Sequence, residues 1–235
     1  MKKLSVILFI IGLSISAFAQ DKTSKPKATK SEGLAKKAFE AHGGKKFKEM
    51  QNLSVKGSVD VTTSAINQAL PASFTTVFSG DKYRLEISSQ FANFLQIYDG
   101  KETFTSPQRG FSLPPINRLG FPLLQKLGVE GFTVSDLPKS KKNGFRITSP
   151  EGFYTDFYLD KKSNRIKGYD SSYLIGNREA TTTVEIDKFT EKDGIIIPTK
   201  YAQRFDFGQM TVYADFKAKE VTVNEDIEES VFSVE

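Results

Sequence analysis

The sequence predicts a mainly β protein with a few helices, in which one long antiparallel sheet curls around an apolar face. Three observations carry that prediction. From Leu53 onward, apolar and polar residues alternate with a period of two through eleven or twelve short runs. The runs are separated by turn pairs such as Asp99-Gly100, Asn143-Gly144 and Asp193-Gly194. One apolar, proline-bearing interruption, residues 111–128 (FSLPPINRLGFPLLQKLG), breaks the succession once.

Taken in order, residues 1–19 read as a secretory signal. Lys2 and Lys3 precede an apolar stretch from Leu4 to Ile15, and Ala17-Phe18-Ala19 forms a small-x-small cleavage site. The stretch is shorter than a spanning helix requires, so a cleaved, exported and periplasmic protein is expected. Residues 20–30 form a Lys-rich leader with Pro26. Residues 31–235 are expected to form a single domain, a length that all-β architectures reach without splitting.

A helix opens that domain. Thr29 and Glu32 make a capping box, Leu34, Ala35, Ala38, Phe39 and His42 share one face, and Gly43-Gly44 stops it. Phe47 and Met50 follow on a short second turn. The strands expected before the interruption are 53–62, 74–78, 83–87, 94–98 and 102–105. Those after it are 131–135, 145–148, 153–159, 165–173, 181–189, 195–207 and 210–223. Short strands joined by tight turns make an antiparallel meander, and so many of them must curl rather than lie flat. The curled face then needs covering, and only the first helix and residues 111–128 are apolar enough to cover it.

Composition excludes several classes of function. There is no cysteine, so disulfide, thiolate and thiol-lipidation chemistry are ruled out. The formal charge of +5 falls to +3 once Lys2 and Lys3 are removed. That excess sits in the leader and first helix, which reads first as a solvated linker and otherwise as an arm drawn to anionic head groups, and basic residues are not interleaved with aromatics as in nucleic-acid binders. His42 is the sole histidine, placed at a helix C-terminus where histidine has a structural reason to stand. No nucleophile elbow, phosphate-cradling loop or histidine-based metal spacing occurs. The chain is therefore expected not to be an enzyme and to need no cofactor or metal. A carboxylate pair acting on an envelope polymer stays open, with no particular pair nominated.

Within the interruption, Pro114-Pro115 sets an extended entry, and Ile116, Leu119, Leu123, Leu124 and Leu127 match one helical face. Gly120 and Pro122 divide it into two pieces with a hinge between them. The same apolar stripe describes either a fixed plug or a movable lid. In GDKYRLEI, alternation places Arg84 outward with Lys82 and Glu86.

Several stretches, in this order and spacing, resemble the periplasmic lipoprotein-carrier fold, the LolA/LolB-like family. They are AHGG followed by FKEMQNLSVKGSV, then GDKYRLEI and IYDGKETFTSP. Later come FYLDKKSNRIKGYD, TTTVEIDKFTEKDGIIIPTKY and DIEESVFSVE. The resemblance implies a curved, incomplete antiparallel β-barrel of about eleven strands, covered by helices that move when acyl chains enter. It also implies that Arg84 is the lid-latching arginine, pointing its guanidinium at carbonyls of the covering segment.

The expected function is an exported soluble carrier that binds lipid or lipoprotein acyl chains and shuttles them across the periplasm. Donor and acceptor proteins of the envelope and transient membrane-surface contact would be its partners. The ligand-binding residues expected on the sheet are Val55, Val59, Val61, Phe74, Phe78, Tyr83, Leu85, Leu95 and Ile97. Ile116, Leu119, Phe121, Leu123 and Leu124 are expected from the lid. An envelope protein-interaction or stress-sensing domain of the same fold is the alternative, and an envelope hydrolase the third.

Overall fold

The computed structural model describes residues 29–64, 66–91, 93–106, 116–138, 142–175, 178–207 and 210–233. The expected signal, nearly all of the leader, Pro114-Pro115 and the Gly176-Asn177 turn lie outside them.

Helix α1 (Lys30–Ala41) begins at the capping box, where the Glu32 N–H donates to Thr29 Oγ1 at 3.2 Å and the Thr29 N–H to Glu32 Oε2 at 2.6 Å. It starts one residue inside the expected leader. Ala35 and Ala38 are buried, with Leu34 and Phe39 packed at their flank. Gly43 ends the helix at φ 117°, and a Cβ there would stand 2.8 Å from the Gly194 carbonyl oxygen, so glycine alone fits. Helix α2 (Lys45–Glu49) then turns the buried Phe47 into the same core.

Twelve strands form one sheet: β1 (Asn52–Thr63), β2 (Ile66–Ser79), β3 (Lys82–Ser88), β4 (Asn93–Tyr98) and β5 (Thr103–Ser106), then β6 (Thr133–Ser135), β7 (Gly144–Thr148), β8 (Tyr154–Leu159), β9 (Ile166–Ile175), β10 (Arg178–Lys192), β11 (Ile195–Phe207) and β12 (Met210–Val223). Every neighbouring pair is antiparallel. The spatial order is β5-β4-β3-β2-β1-β12-β11-β10-β9-β8-β7-β6. The chain thus meanders from β1 out to one edge, crosses to the opposite edge, and meanders back until β12 closes on β1. Residues 116–132 belong to that single crossing, which explains why the apolar interruption occurs once. Among the described residues β5 and β6 form no ladder with each other, so the curved sheet stays an incomplete barrel.

Three details differ from the sequence reading. Strand β2 starts eight residues earlier than expected, through Pro71. The β2–β3 ladder begins only at Ser73↔Ser88, so the Pro71 stretch has a neighbour on one side alone, where proline is tolerated. Strand β6 is shorter, because Gly131 (φ 84°) and Phe132 belong to a turn closed by Phe132 N–H on Val129 O at 3.2 Å. Pro122 does not break its segment; it stands in the first turn of a 3₁₀ helix, where no N–H is required.

Register fixes the two faces of the sheet. Leu53, Val55 and Val59 of β1 lie beside Phe78, Thr76 and Ala72 of β2, and Phe78 and Thr76 lie beside Tyr83 and Leu85 of β3. This inner face carries the main core with α1, α2 and residues 121–127. The outer face is not uniformly wet. Val77, Ile97 and Phe232 form a second apolar cluster, with Leu95, Ile227 and Val231 against it. The C-terminal 3₁₀ helix (Glu229–Phe232) therefore covers the outside of β2–β4.

Candidate functional site

The crossing segment forms two short 3₁₀ pieces, Ile116–Arg118 and Phe121–Lys126, joined at Gly120. Gly120 has φ 64° and ψ −149°, a region that only glycine occupies without strain. A Cβ at Gly120 would stand 2.8 Å from Tyr169 Oη, so the hinge is pressed onto that ring. Its N–H donates to Thr155 Oγ1 at 3.0 Å, and Thr155 shares a 2.8 Å bond with Ser171 Oγ. Burial pushes the Tyr169 phenol up to about 12, partly offset by the Phe121 backbone amide.

Polar bonds fasten both ends of the segment. Lys48 Nζ donates to Gln125 O at 2.6 Å and Leu127 O at 3.0 Å. Gln125 Nε2 donates to Phe47 O at 2.8 Å and Met50 O at 3.1 Å. On the other side Lys126 Nζ meets Asp81 Oδ1 at 2.6 Å, Asn117 Nδ2 donates to Asp81 O at 2.5 Å, and Arg118 pairs with Glu151. Burial, and then the charge of Lys126, lower the Lys48 ammonium from its usual range.

Beneath the hinge lies a partly enclosed cavity of about 210 Å³. Of the residues expected from the sequence, Val55, Phe78 and Leu85 line it from the sheet, and Ile116, Leu119 and Phe121 from the crossing segment. Val59, Val61 and Phe74 lie on the same face but in packed core, Phe74 edge-on to Phe216 at 5.0 Å. Tyr83 is also on that face, fully buried and stacked on Tyr98 at 5.9 Å. Leu123 and Leu124 are fully buried in the main core, anchoring the second 3₁₀ piece rather than lining the cavity.

Three expectations require correction. Leu95 and Ile97 face outward, because inward alternation in β4 falls on Phe94, Gln96 and Tyr98, and Gln96 is fully buried. Arg84 is likewise on the outer face, paired across to Val77 and Ile97. Its guanidinium donates to Val231 O at 3.3 Å and Glu86 Oε2 at 3.2 Å, so it latches the C-terminal 3₁₀ helix, and among the described residues it forms no hydrogen bond to 116–127. Alternation thus agrees with its observed face, and its described partner is the C-terminal helix, while residues 111–115 of the expected covering segment lie outside the described residues.

Sequence reasoning missed the far wall of the cavity. Tyr169, Ser171 and Tyr173 of β9, Thr182, Val184 and Ile186 of β10, and Tyr201, Gln203 and Phe205 of β11 complete it. All sit at alternate positions of their strands, a signal already present in the sequence. Among the described lining residues none is charged. His42 stands apart from the cavity. Its Nδ1–H donates to Ile196 O at 2.9 Å, and its Nε2 accepts the Ile166 N–H at 3.0 Å. Both ring nitrogens are thus spent on backbone, and burial lowers its pKa to about 4. Among the described residues no cluster of potential metal ligands occurs, and no helix is long and apolar enough to cross a membrane.

No family model and no curated protein matches the sequence. Solved structures do match. A LolA superfamily protein from Nitrosomonas europaea is 10% identical, with a TM-score of 0.51 over 88% of this chain and 99% of that one. A DUF1329 family protein from Desulfovibrio piger is 10% identical, with a TM-score of 0.48 over 86% and 97%. An outer membrane lipoprotein-sorting protein domain from Vibrio parahaemolyticus is 12% identical, with a TM-score of 0.44 over 84% and 97%. With a twelve-stranded antiparallel sheet left open between β5 and β6 and roofed by helical segments, the chain has a LolA-like fold.

Proposed function

We propose that the protein is an exported carrier that takes lipid, or the acyl chains of a lipoprotein, into the cavity under Gly120 and moves them across the periplasm. One observation carries the reading: a partly enclosed apolar cavity without charged lining residues, roofed by a segment hinged at a glycine. Val55, Phe78, Leu85, Ile116, Leu119 and Phe121 are the ligand contacts in this reading. The signal-like N-terminus and the fold are consistent with it, and transfer requires no covalent step.

The cavity limits what the closed form can hold. At about 210 Å³ it is somewhat larger than the ~150 Å³ cavity that admits benzene. It therefore takes part of an acyl chain, and the remainder must displace the roof or leave by the open side. Each methylene buried adds about 0.8 kcal/mol. Purification of the mature protein from its own envelope, followed by native mass spectrometry, should reveal bound lipid. Protein that is repeatedly lipid-free, and fails to take up a neutral probe such as Nile red, overturns the carrier reading.

A further inference from the structure

Across β8–β11 the inner face carries apolar and tyrosine side chains and one row of hydroxyl and amide groups. Thr155 of β8, Ser171 of β9 and Thr182 of β10 stand directly opposite one another in register. Gln203 of β11 joins the row through Nε2, which donates to Thr182 Oγ1 at 3.0 Å. Ser171, Thr182 and Gln203 line the cavity, while Thr155 is fully buried behind them under the Gly120 N–H. A polar row costs stability on a face whose neighbours are Val184, Ile186 and Tyr169, unless its hydrogen bonds are met.

The proton count shows what is unmet. Each hydroxyl supplies one proton and two acceptor sites. Thr155 accepts the Gly120 N–H and shares one bond with Ser171; Thr182 accepts from Gln203. Among the described residues Thr182 donates to no protein acceptor. When Thr155 donates to Ser171, Ser171 also keeps a free proton. Two adjacent hydroxyl donors on a cavity wall call for an acceptor with two lone pairs, and the lack of a lining cation makes an ionised acceptor expensive there.

We propose that Ser171, Thr182 and Gln203 read the carbonyl of an ester- or amide-linked acyl chain, and that the cavity selects such neutral lipids over ionised fatty acids. This rests on the carrier reading and names its ligand class. A carbonyl held by Ser171 sets the direction of the whole row. Ser171 donates to the ligand, Thr155 donates to Ser171, and Thr155 accepts the Gly120 N–H on one of its lone pairs. Occupancy thereby strengthens the bond that holds the hinge closed, since hydrogen bonds in a chain polarise one another.

The test is displacement of Nile red from the mature chain by three twelve-carbon ligands at pH 8. They are monolaurin, its ether analogue 1-O-dodecylglycerol, which lacks only the carbonyl, and laurate. The wild type should favour monolaurin over the ether about tenfold, the scale of one net hydrogen bond, and over laurate at least tenfold. In Ser171→Ala/Thr182→Val, and to a lesser degree in Thr182→Val alone, ester and ether should bind alike with the ether unchanged. Equal binding of ester and ether by the wild type overturns the proposal and leaves the carrier reading standing. Equal weakening of both ligands in the variants overturns it too. Failure of Nile red and all three ligands to bind overturns the carrier reading and this one with it.

Discussion

Replacing Gly120 with alanine tests the hinge directly. At φ 64° and ψ −149° the backbone is closed to residues with a Cβ, and holding such a conformation costs about 1–3 kcal/mol. The new methyl also meets Tyr169 Oη and Cε2 at 2.8 Å and Cζ at 2.9 Å. The ring cannot step aside freely, because Phe157 packs on it at 5.8 Å and Phe121 lies against its hydroxyl. Overpacking of this kind adds about 1–3 kcal/mol, so the combined loss is about 3 kcal/mol. For a chain of this size that lowers the midpoint of thermal unfolding by about 6–12 °C. Urea unfolding of Gly120→Ala, Tyr169→Ala and the double variant separates the two contributions, since removing the ring should return at least about 1 kcal/mol in the double-mutant cycle. Stability of Gly120→Ala within about 0.5 kcal/mol of wild type, a typical surface effect, would refute the argument.

Other perturbations follow from the same geometry. Arg84→Leu should lose about 1 kcal/mol, through the bond to Val231 O, while Nile red release stays unchanged; altered release would return Arg84 to the lid. Gln125→Ala, which removes both carbonyl contacts of that side chain, should cost about 1 kcal/mol of stability while Nile red release in stopped flow stays unchanged, because Leu123 and Leu124 still hold that half; several-fold faster release would show that residues 121–127 open as well. His42 is held neutral by burial, with a pKa lowered from 6.5 to about 4 and a small further push from Arg165. The unfolded chain then binds the extra proton first, so stability is fully present above about pH 6.5 and falls as pH drops towards 4. At 1.36 kcal/mol per unit the loss approaches about 3 kcal/mol. Urea midpoints at pH 7 and 4.5 check this against His42→Asn, whose acid sensitivity in that window should be smaller.

Much of the fold was legible because its physics is local. The capping box, the glycine stop after His42 and the period-two runs each depend on neighbours in sequence, and the inner residues of β1 and β3 follow from alternation. Strand β4 shows where that logic fails. In NFLQIY a polar glutamine sits between apolar residues, so Leu95 and Ile97 look like the core face. They face outward because Phe232, more than a hundred residues later, covers them. Arg84 is the same case seen from its partner: its carbonyl acceptor belongs to that distant helix. The roof fastenings through Lys48, Gln125 and Lys126 were invisible for a different reason. Each is a side chain reaching a carbonyl or carboxylate in another element, and nothing in local pattern marks such a pair.

Whether the roof is plug or lid has a different answer for its two halves. Residues 121–127 hold Leu123 and Leu124 at full burial, each stabilising by roughly 1.5–3 kcal/mol, and add the Gln125 and Lys48 bonds. Residues 116–119 have far less. Leu119 is their one buried apolar side chain, Ile116 is half-buried, and the buried Asn117 Oδ1 has no hydrogen-bond partner among the described residues. Their Arg118–Glu151 pair leaves 27% and 38% of its side chains exposed, where ion pairs contribute about 0–1 kcal/mol. These contacts predict that the first half swings about Gly120 while the second stays docked, which would expose the cavity beside Ser171 and Thr182. Native-state hydrogen exchange reads this out residue by residue. The Leu119 amide, on Ile116 O at 3.4 Å, should exchange through small openings, whereas Leu123, on Gly120 O at 3.1 Å, should approach global protection. Equal protection of the two amides would mean that the segment opens as one body or not at all, and the hinge would then serve only to fit the chain over Tyr169.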